Sequence, residues 1–202
     1  MNYSLEEIDK CLRRVLTNTF KNLQSVYSCN EVSNDVQLFI ADKIRICEQD
    51  LRFTFIETFL KTPEFSSFSY SVEVPTKNKY NFKGEDPCLD EQGKRGNIDL
   101  VIYKDGSPVV YIEFKSNNPI KKNYTKDLLK LKYETTDKIL GYLICVYRNS
   151  GDATIDNIRK KLGEDLGTQT HYIGYSLNHN KSNGCIFEFD NKSNSIVRTT
   201  IF

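Results

Sequence analysis

Asp99, Glu113 and Lys115 bring two carboxylates and an amine onto what read as two consecutive strands. Such a set can hold a hard cation and steady negative charge beside it. Ile98 to Tyr103 is strand-like, Lys104-Asp105-Gly106-Ser107-Pro108 is a turn, and Val109 to Lys115 is strand-like again. Glu113 and Lys115 are two positions apart, so they project from one face while Phe114 turns to the other. Register decides whether Asp99 joins them. A three-residue loop at Asp105 to Ser107 pairs Asp99 with Glu113, at about 5 Å between Cβ atoms. A two-residue loop pairs Asp99 with Ile112 and sends the acids to opposite faces. A shared site therefore requires the longer loop or a bulge.

Carboxylates held side by side repel, and one takes up a proton unless a cation sits between them. Hard oxygen ligands select Mg²⁺ or Mn²⁺. Lys115 beside such an ion can orient a water or steady charge developing on a phosphate, which suits hydrolysis of a phosphodiester. Val109-Val110-Tyr111-Ile112 is apolar on both faces and reads as a central, covered strand. Charges at the end of a covered strand need a reason.

Asp99 followed by Glu113-x-Lys115 on the next strand resembles the motif of the PD-(D/E)XK nuclease superfamily, with its restriction-endonuclease-like fold. The glycine before the acid and the apolar flanks fit, in Arg95-Gly96-Asn97-Ile98-Asp99-Leu100-Val101-Ile102 and Val109-Val110-Tyr111-Ile112-Glu113-Phe114-Lys115. Ile98 stands where the Pro of the motif's name would be, and the Gln-x-x-Tyr element of the RecB-like branch is absent. The resemblance implies an α/β fold: a mixed β-sheet flanked by helices, here with an N-terminal helical pair and a C-terminal β-hairpin. It implies a Mg²⁺ or Mn²⁺ ion held by Asp99, Glu113 and the Phe114 carbonyl, and a water positioned by Lys115. It further implies cleavage to a 5′-phosphate and a 3′-hydroxyl, with DNA favoured over RNA as substrate. The alternatives are an RNA-cutting endonuclease and a catalytically silent nucleic-acid-binding or assembly module.

The superfamily often adds an acid from a helix before the core strands. Glu57, in Phe55-Ile56-Glu57-Thr58-Phe59-Leu60, is the preferred candidate and Glu48 the other. Nine residues put them about 180° apart round a helix, so they cannot both face the site.

The elements that must position these groups are legible from periodicity. Ser4 and Glu7 form a capping box, and Leu5, Ile8, Leu12, Val15, Leu16, Phe20 and Leu23 recur at helical spacing. Asn34 or Asp35 caps a second helix running to Lys61, stopped by Thr62-Pro63, with a stripe of Val36, Ile40, Ile44, Cys47, Leu51 and Phe55. Phe53, Ile56, Phe59 and Leu60 make its end apolar nearly all round, which predicts burial. Phe68 to Thr76 alternates as the first strand, with Glu73 a further acid near the site. Lys77 to Gly96, with Gly84, Pro87 and Gly93, reads as a long polar loop at its mouth, contacting substrate through Lys94 and Arg95.

Thr125 opens a helix through Tyr133 whose Lys122, Lys126 and Lys130 step by four along one face, with Leu128, Leu129 and Leu131 toward the sheet. From Lys115 to Lys138 seven lysines stand against three acids, a local net of +4 suited to phosphate. Leu140 to Tyr147 fits a buried parallel strand, Ile155 to Leu162 a short helix and His171 to Leu177 another strand. Cys185 to Asp190 and Ser195 to Phe202 form a terminal hairpin that covers an edge or contacts a second subunit or protein partner.

Length and composition predict one nuclease-like domain over 1–202, with helices in 1–62, a core in 68–177 and the hairpin in 184–202. A net charge of +1 argues against a protein that is basic throughout. The six cysteines lack a CxxC pair and, with two histidines, argue against a zinc site; they read as reduced thiols of a cytoplasmic protein. The sequence has no signal-peptide pattern or membrane-length apolar run.

Overall fold

The computed structural model describes residues 3–28, 47–83, 87–117, 119–148, 150–162, 170–177, 184–190 and 195–200. The elements are α1 (Leu5–Ser28), α2 (Glu48–Leu60), β1 (Phe68–Asn81), β2 (Cys88–Leu89), β3 (Lys94–Lys104), β4 (Ser107–Ser116), α3 (Lys121–Glu134), β5 (Leu140–Tyr147), α4 (Asp152–Leu162), β6 (Thr170–Ser176), β7 (Cys185–Asp190) and β8 (Ser195–Thr200). The strands form one mixed sheet in the order β2-β1-β3-β4-β5-β6-β7-β8. β4, β5 and β6 run parallel and the other neighbours antiparallel. Helices cover both faces, so the expected mixed α/β architecture is present, with helices leading and a strand hairpin closing the chain. Among the described residues no helix is long and apolar enough to cross a membrane.

Two cores follow from the two faces. Ile8, Leu12, Val15, Leu16 and Phe20 of α1 and Leu51, Phe55 and Phe59 of α2 pack on Leu100, Ile112, Phe114 and Ile144. Tyr124, Leu128 and Leu131 of α3 and Ile155 and Ile158 of α4 pack on Val101, Tyr111, Leu143 and Tyr172. All eight residues of β5 are buried, as its unbroken apolar run requires. The capping box opens α1, with Ser4 N donating to Glu7 Oε2 at 2.7 Å and Glu7 N to Ser4 Oγ at 3.2 Å.

Three expectations are corrected. The predicted helix start at Asn34 or Asp35 lies outside the described residues, and Cys47, expected inside the helix, is extended and caps α2 through Asp50. The end of α2 is not buried all round: Phe53 and Leu60 are 63% and 62% exposed, because one stripe of Leu51, Phe55, Thr58 and Phe59 fills the contact with the sheet. The expected loop from Lys77 to Gly96 is mostly sheet. β1 continues to Asn81, pairs with β2 and carries the start of β3, after an irregularity between Pro75 and Lys79. Glu134, at the end of α3, holds that irregularity by accepting from Lys77 N, Asn78 N and the Tyr80 hydroxyl at 2.9, 2.9 and 2.8 Å.

Candidate active site

The β3–β4 hairpin settles the register. Asp105 and Gly106 both have positive φ, 51° and 76°, the two-residue turn that Asp-Gly favours. Lys104 pairs with Ser107, not with Pro108, so the loop is the shorter one. Tyr103 pairs with Pro108 but Ile102 with Val110, which leaves Val109 as the extra residue of a bulge. The bulge restores the longer register: Leu100 pairs with Ile112, and counting on sets Asp99 opposite Glu113. The Asp99 carboxylate accepts the Phe114 N–H at 2.8 Å in place of a ladder bond.

Beyond Leu100, β3 leaves β4, and Lys130 of α3 enters the opening. Its ammonium donates to Asn97 O at 2.7 Å and lies 2.6 Å from Glu113 Oε1 and 3.0 Å from Asp127 Oδ1. Gly96 makes room for the lysine stem, since a Cβ there would stand 2.9 Å from Lys130 Cδ. Lys115 donates to Phe114 O at 2.9 Å and pairs with Asp127 at 2.7 Å and Glu48 at 3.8 Å. The cluster holds four carboxylates, Glu48, Asp99, Glu113 and Asp127, against two ammonium groups.

Burial sets the electrostatics. Glu113 is fully buried, and desolvation, reinforced by Asp127 and Asp99 and opposed by Lys130, holds its carboxyl well above the usual range. Burial also raises Glu48, with Asp99 and Asp127 adding to it against Lys115. For Lys115, burial alone would lower the ammonium, but Asp127, Glu48 and Asp99 outweigh it and the shift is upward. Lys130 behaves alike, with Glu113 and Asp127 outweighing burial.

Among the sequence-derived residues, Asp99, Glu113, Phe114 and Lys115 come together. Glu57 does not join them. It lies on the outer side of α2, 64% exposed and paired with Lys61 at 2.6 Å, because the buried stripe of the helix faces the other way. Glu48, in the first turn, is the acid that reaches the cluster. Glu73 lies at the rim, bonded to Arg52 at 2.7 Å, with a strained φ of 53°. Lys94 and Arg95 are exposed on β3, and Lys122 and Lys126 are half-buried. Lys130 is corrected from surface contact to buried ion pair: four-residue steps drift about 40° each, and two of them carry it round to the sheet. Asp127 was not singled out by its sequence, although Asp127-x-x-Lys130 between Tyr124 and Leu131 places both on the buried face.

A divalent cation, which the motif resemblance implies, can be tested against this arrangement. The acids outnumber the ammonium groups by two charges, the donors are hard oxygens, and Glu113 Oε2 is buried without a hydrogen-bond partner among the described residues. These features fit such an ion. No three acidic, histidine or cysteine side chains converge into a ready cage among the described residues.

No protein-family model matches the chain, and no curated protein matches it. Among solved structures it is similar to SfsA of Pyrococcus furiosus in complex with Ca²⁺, with a TM-score of 0.33 and 12% identity. That match covers 75% of this chain and 63% of SfsA, so the chain spans less than two thirds of that protein's length.

Proposed function

We propose that the protein is a metal-dependent nuclease that hydrolyses phosphodiester bonds, an endodeoxyribonuclease of the PD-(D/E)XK kind. The observation that carries this reading is the convergence of Asp99, Glu113 and Lys115 where β3 leaves β4, with one oxygen of a fully buried glutamate lacking a hydrogen-bond partner among the described residues. A buried cluster with this excess of negative charge has a physical use for a divalent cation.

Asp99 and Glu113 would hold Mg²⁺ or Mn²⁺, with Glu48 adding negative charge beside Lys115, and the ion would supply Lewis-acid stabilisation of the phosphate and a more acidic bound water. The chain's own groups do the positioning. Lys115, fixed between Phe114 O and Asp127, presents its ammonium to an attacking water and to charge growing on phosphate oxygens. Asp127 orients both lysines and so acts on the chemistry through them. The covered sheet excludes bulk water behind Glu113.

Incubation of supercoiled plasmid, single-stranded DNA and RNA with Mg²⁺, Mn²⁺ or EDTA tests the reading. Metal-dependent nicking that leaves 5′-phosphate ends supports it, and intact substrates under every condition contradict it. A second reading, a nucleic-acid-binding module without catalysis, is favoured by Lys130, whose ammonium already neutralises Glu113. Retarded migration of nucleic acid without cutting would support that reading.

A further inference from the structure

Beside the site, the sheet extends past the core as a ribbon made of β1 from Lys77 to Asn81, β2 and the start of β3. Between residues 77 and 97 the sequence carries five cations, Lys77, Lys79, Lys83, Lys94 and Arg95, against four acids, Glu85, Asp86, Asp90 and Glu91, so what matters is where the cations stand. Lys79 and Arg95 are directly opposed in the ladder, and both are exposed. Like charges so placed destabilise a strand pair. The Lys79 ammonium reaches Glu91 O at 3.2 Å, a carbonyl that leaves the positive charge in place. A bound polyanion relieves that repulsion.

Phe82 ends the ribbon. Its ring stacks on Tyr80 at 5.4 Å and 18° and lies against Gly96, where a Cβ would meet Phe82 Cζ at 3.2 Å. The Lys126 ammonium stands 5.7 Å from the ring centroid. Phe82 remains half-exposed, and a single lysine side chain separates it from the catalytic cluster: Lys130 touches Gly96 with its stem and Glu113 with its ammonium. Cations flanking an aromatic ring are the elements with which proteins hold unpaired strands, since a stacked base needs an open face that a duplex withholds.

We infer that this ribbon is a binding surface for single-stranded nucleic acid, with Phe82 stacking an unpaired base and Lys79 and Arg95 holding the backbone. The inference rests on the nuclease reading for its substrate but not for its test. Fluorescence anisotropy with labelled single-stranded DNA, single-stranded RNA and duplex DNA, all in EDTA, measures binding apart from cutting. The wild type is expected to bind a single strand more tightly than the duplex. Phe82→Leu should weaken single-strand binding by roughly 5- to 100-fold, while Phe82→Tyr, which keeps the ring, retains it. Lys79→Gln with Arg95→Gln should flatten the dependence of log affinity on log salt by about 1 to 2. Should Phe82→Leu fail to fold, this double variant decides the question.

Preference for duplex, an unchanged affinity in Phe82→Leu, or an unchanged salt slope would overturn the inference. Wild-type cleavage is scored separately. Cutting alongside unchanged Phe82→Leu binding would sink the ribbon and spare the nuclease. Lost binding without wild-type cutting under any metal would do the reverse.

Discussion

At the residue scale, Glu113 and Lys130 form the pair on which the cluster turns. Glu113 is buried, and its carboxyl binds a proton more readily in the folded chain than in the unfolded one. From the ordinary glutamate value, about 4.3, up to the raised folded value, the native state therefore holds the extra proton. Stability from this group is level below that window and falls as pH rises through it. Glu113→Gln should remove the fall, seen as a wild-type-minus-variant difference in urea unfolding that declines from about pH 4 upward in chelator. Lys130→Ala leaves Glu113 buried without its cation and should cost about 3–5 kcal/mol in the same measurement. Because a divalent ion can take the place of the lost ammonium, Lys130→Ala should show a larger Mn²⁺-induced rise in melting temperature than the wild type. An equal or smaller rise would mean that Mn²⁺ does not bind at Glu113.

At the scale of elements, the hairpin and α2 decide which acids meet. Asp99, Glu113 and Lys115 were legible because their strands alternate cleanly and a covered strand makes a charge conspicuous. The sequence left both turn lengths open; the shorter turn forms, and Val109 supplies the bulge that the shared site required. Glu57 was preferred over Glu48 because its neighbours are apolar, but Phe53 and Leu60 are exposed, so apolar neighbours do not mark the buried stripe of α2. Lys77 to Gly96 reads as a loop because it is polar and is punctuated by Gly84, Pro87 and Gly93. The alternation of Asn78, Tyr80 and Phe82 with Lys77, Lys79 and Lys83 was the strand signal there. The two glutamates of α2 make a direct comparison. Glu57→Gln should leave stability within about 0.5 kcal/mol and the Mn²⁺ response unchanged, whereas Glu48→Gln should diminish that response. The opposite ranking in a thermal-shift titration would return the role to Glu57. Gly96→Val should push the Lys130 stem from its channel and destabilise by about 1–3 kcal/mol, read by urea unfolding.

Over the whole molecule, α1 is tied to the far strands of the sheet by a polar cluster. Arg13 of α1 bonds Glu188 of β7 and Asp9, Tyr142 donates to Asp9, and His171 stands beside both acids. Burial would raise the Glu188 carboxyl, but the hydrogen bonds from His171 and Arg13 outweigh it and hold it at about 2. A depressed acid contributes stability above its unfolded value, about 4.3, that is lost as pH falls through its folded value of about 2. Glu188→Gln should therefore cost about 1–2 kcal/mol near neutrality, after allowance for the partly exposed Arg13, and the deficit should vanish toward pH 2. A deficit that persists at low pH would mean that the pair contributes packing and not charge. Such a long-range tie was invisible in the sequence, because Arg13 and Glu188 lie 175 residues apart and neither breaks a local pattern.

The central claim is tested most directly by cleavage of plasmid and single-stranded DNA with Mg²⁺ or Mn²⁺, wild type beside Lys115→Ala. Both proteins are first shown by circular dichroism to be folded. Metal-dependent cutting by the wild type that falls at least about 100-fold in the variant is the predicted result, the scale of a positioned catalytic group. Equal cutting by both proteins, or none by a folded, metal-loaded wild type, would contradict a nuclease built on Asp99, Glu113 and Lys115.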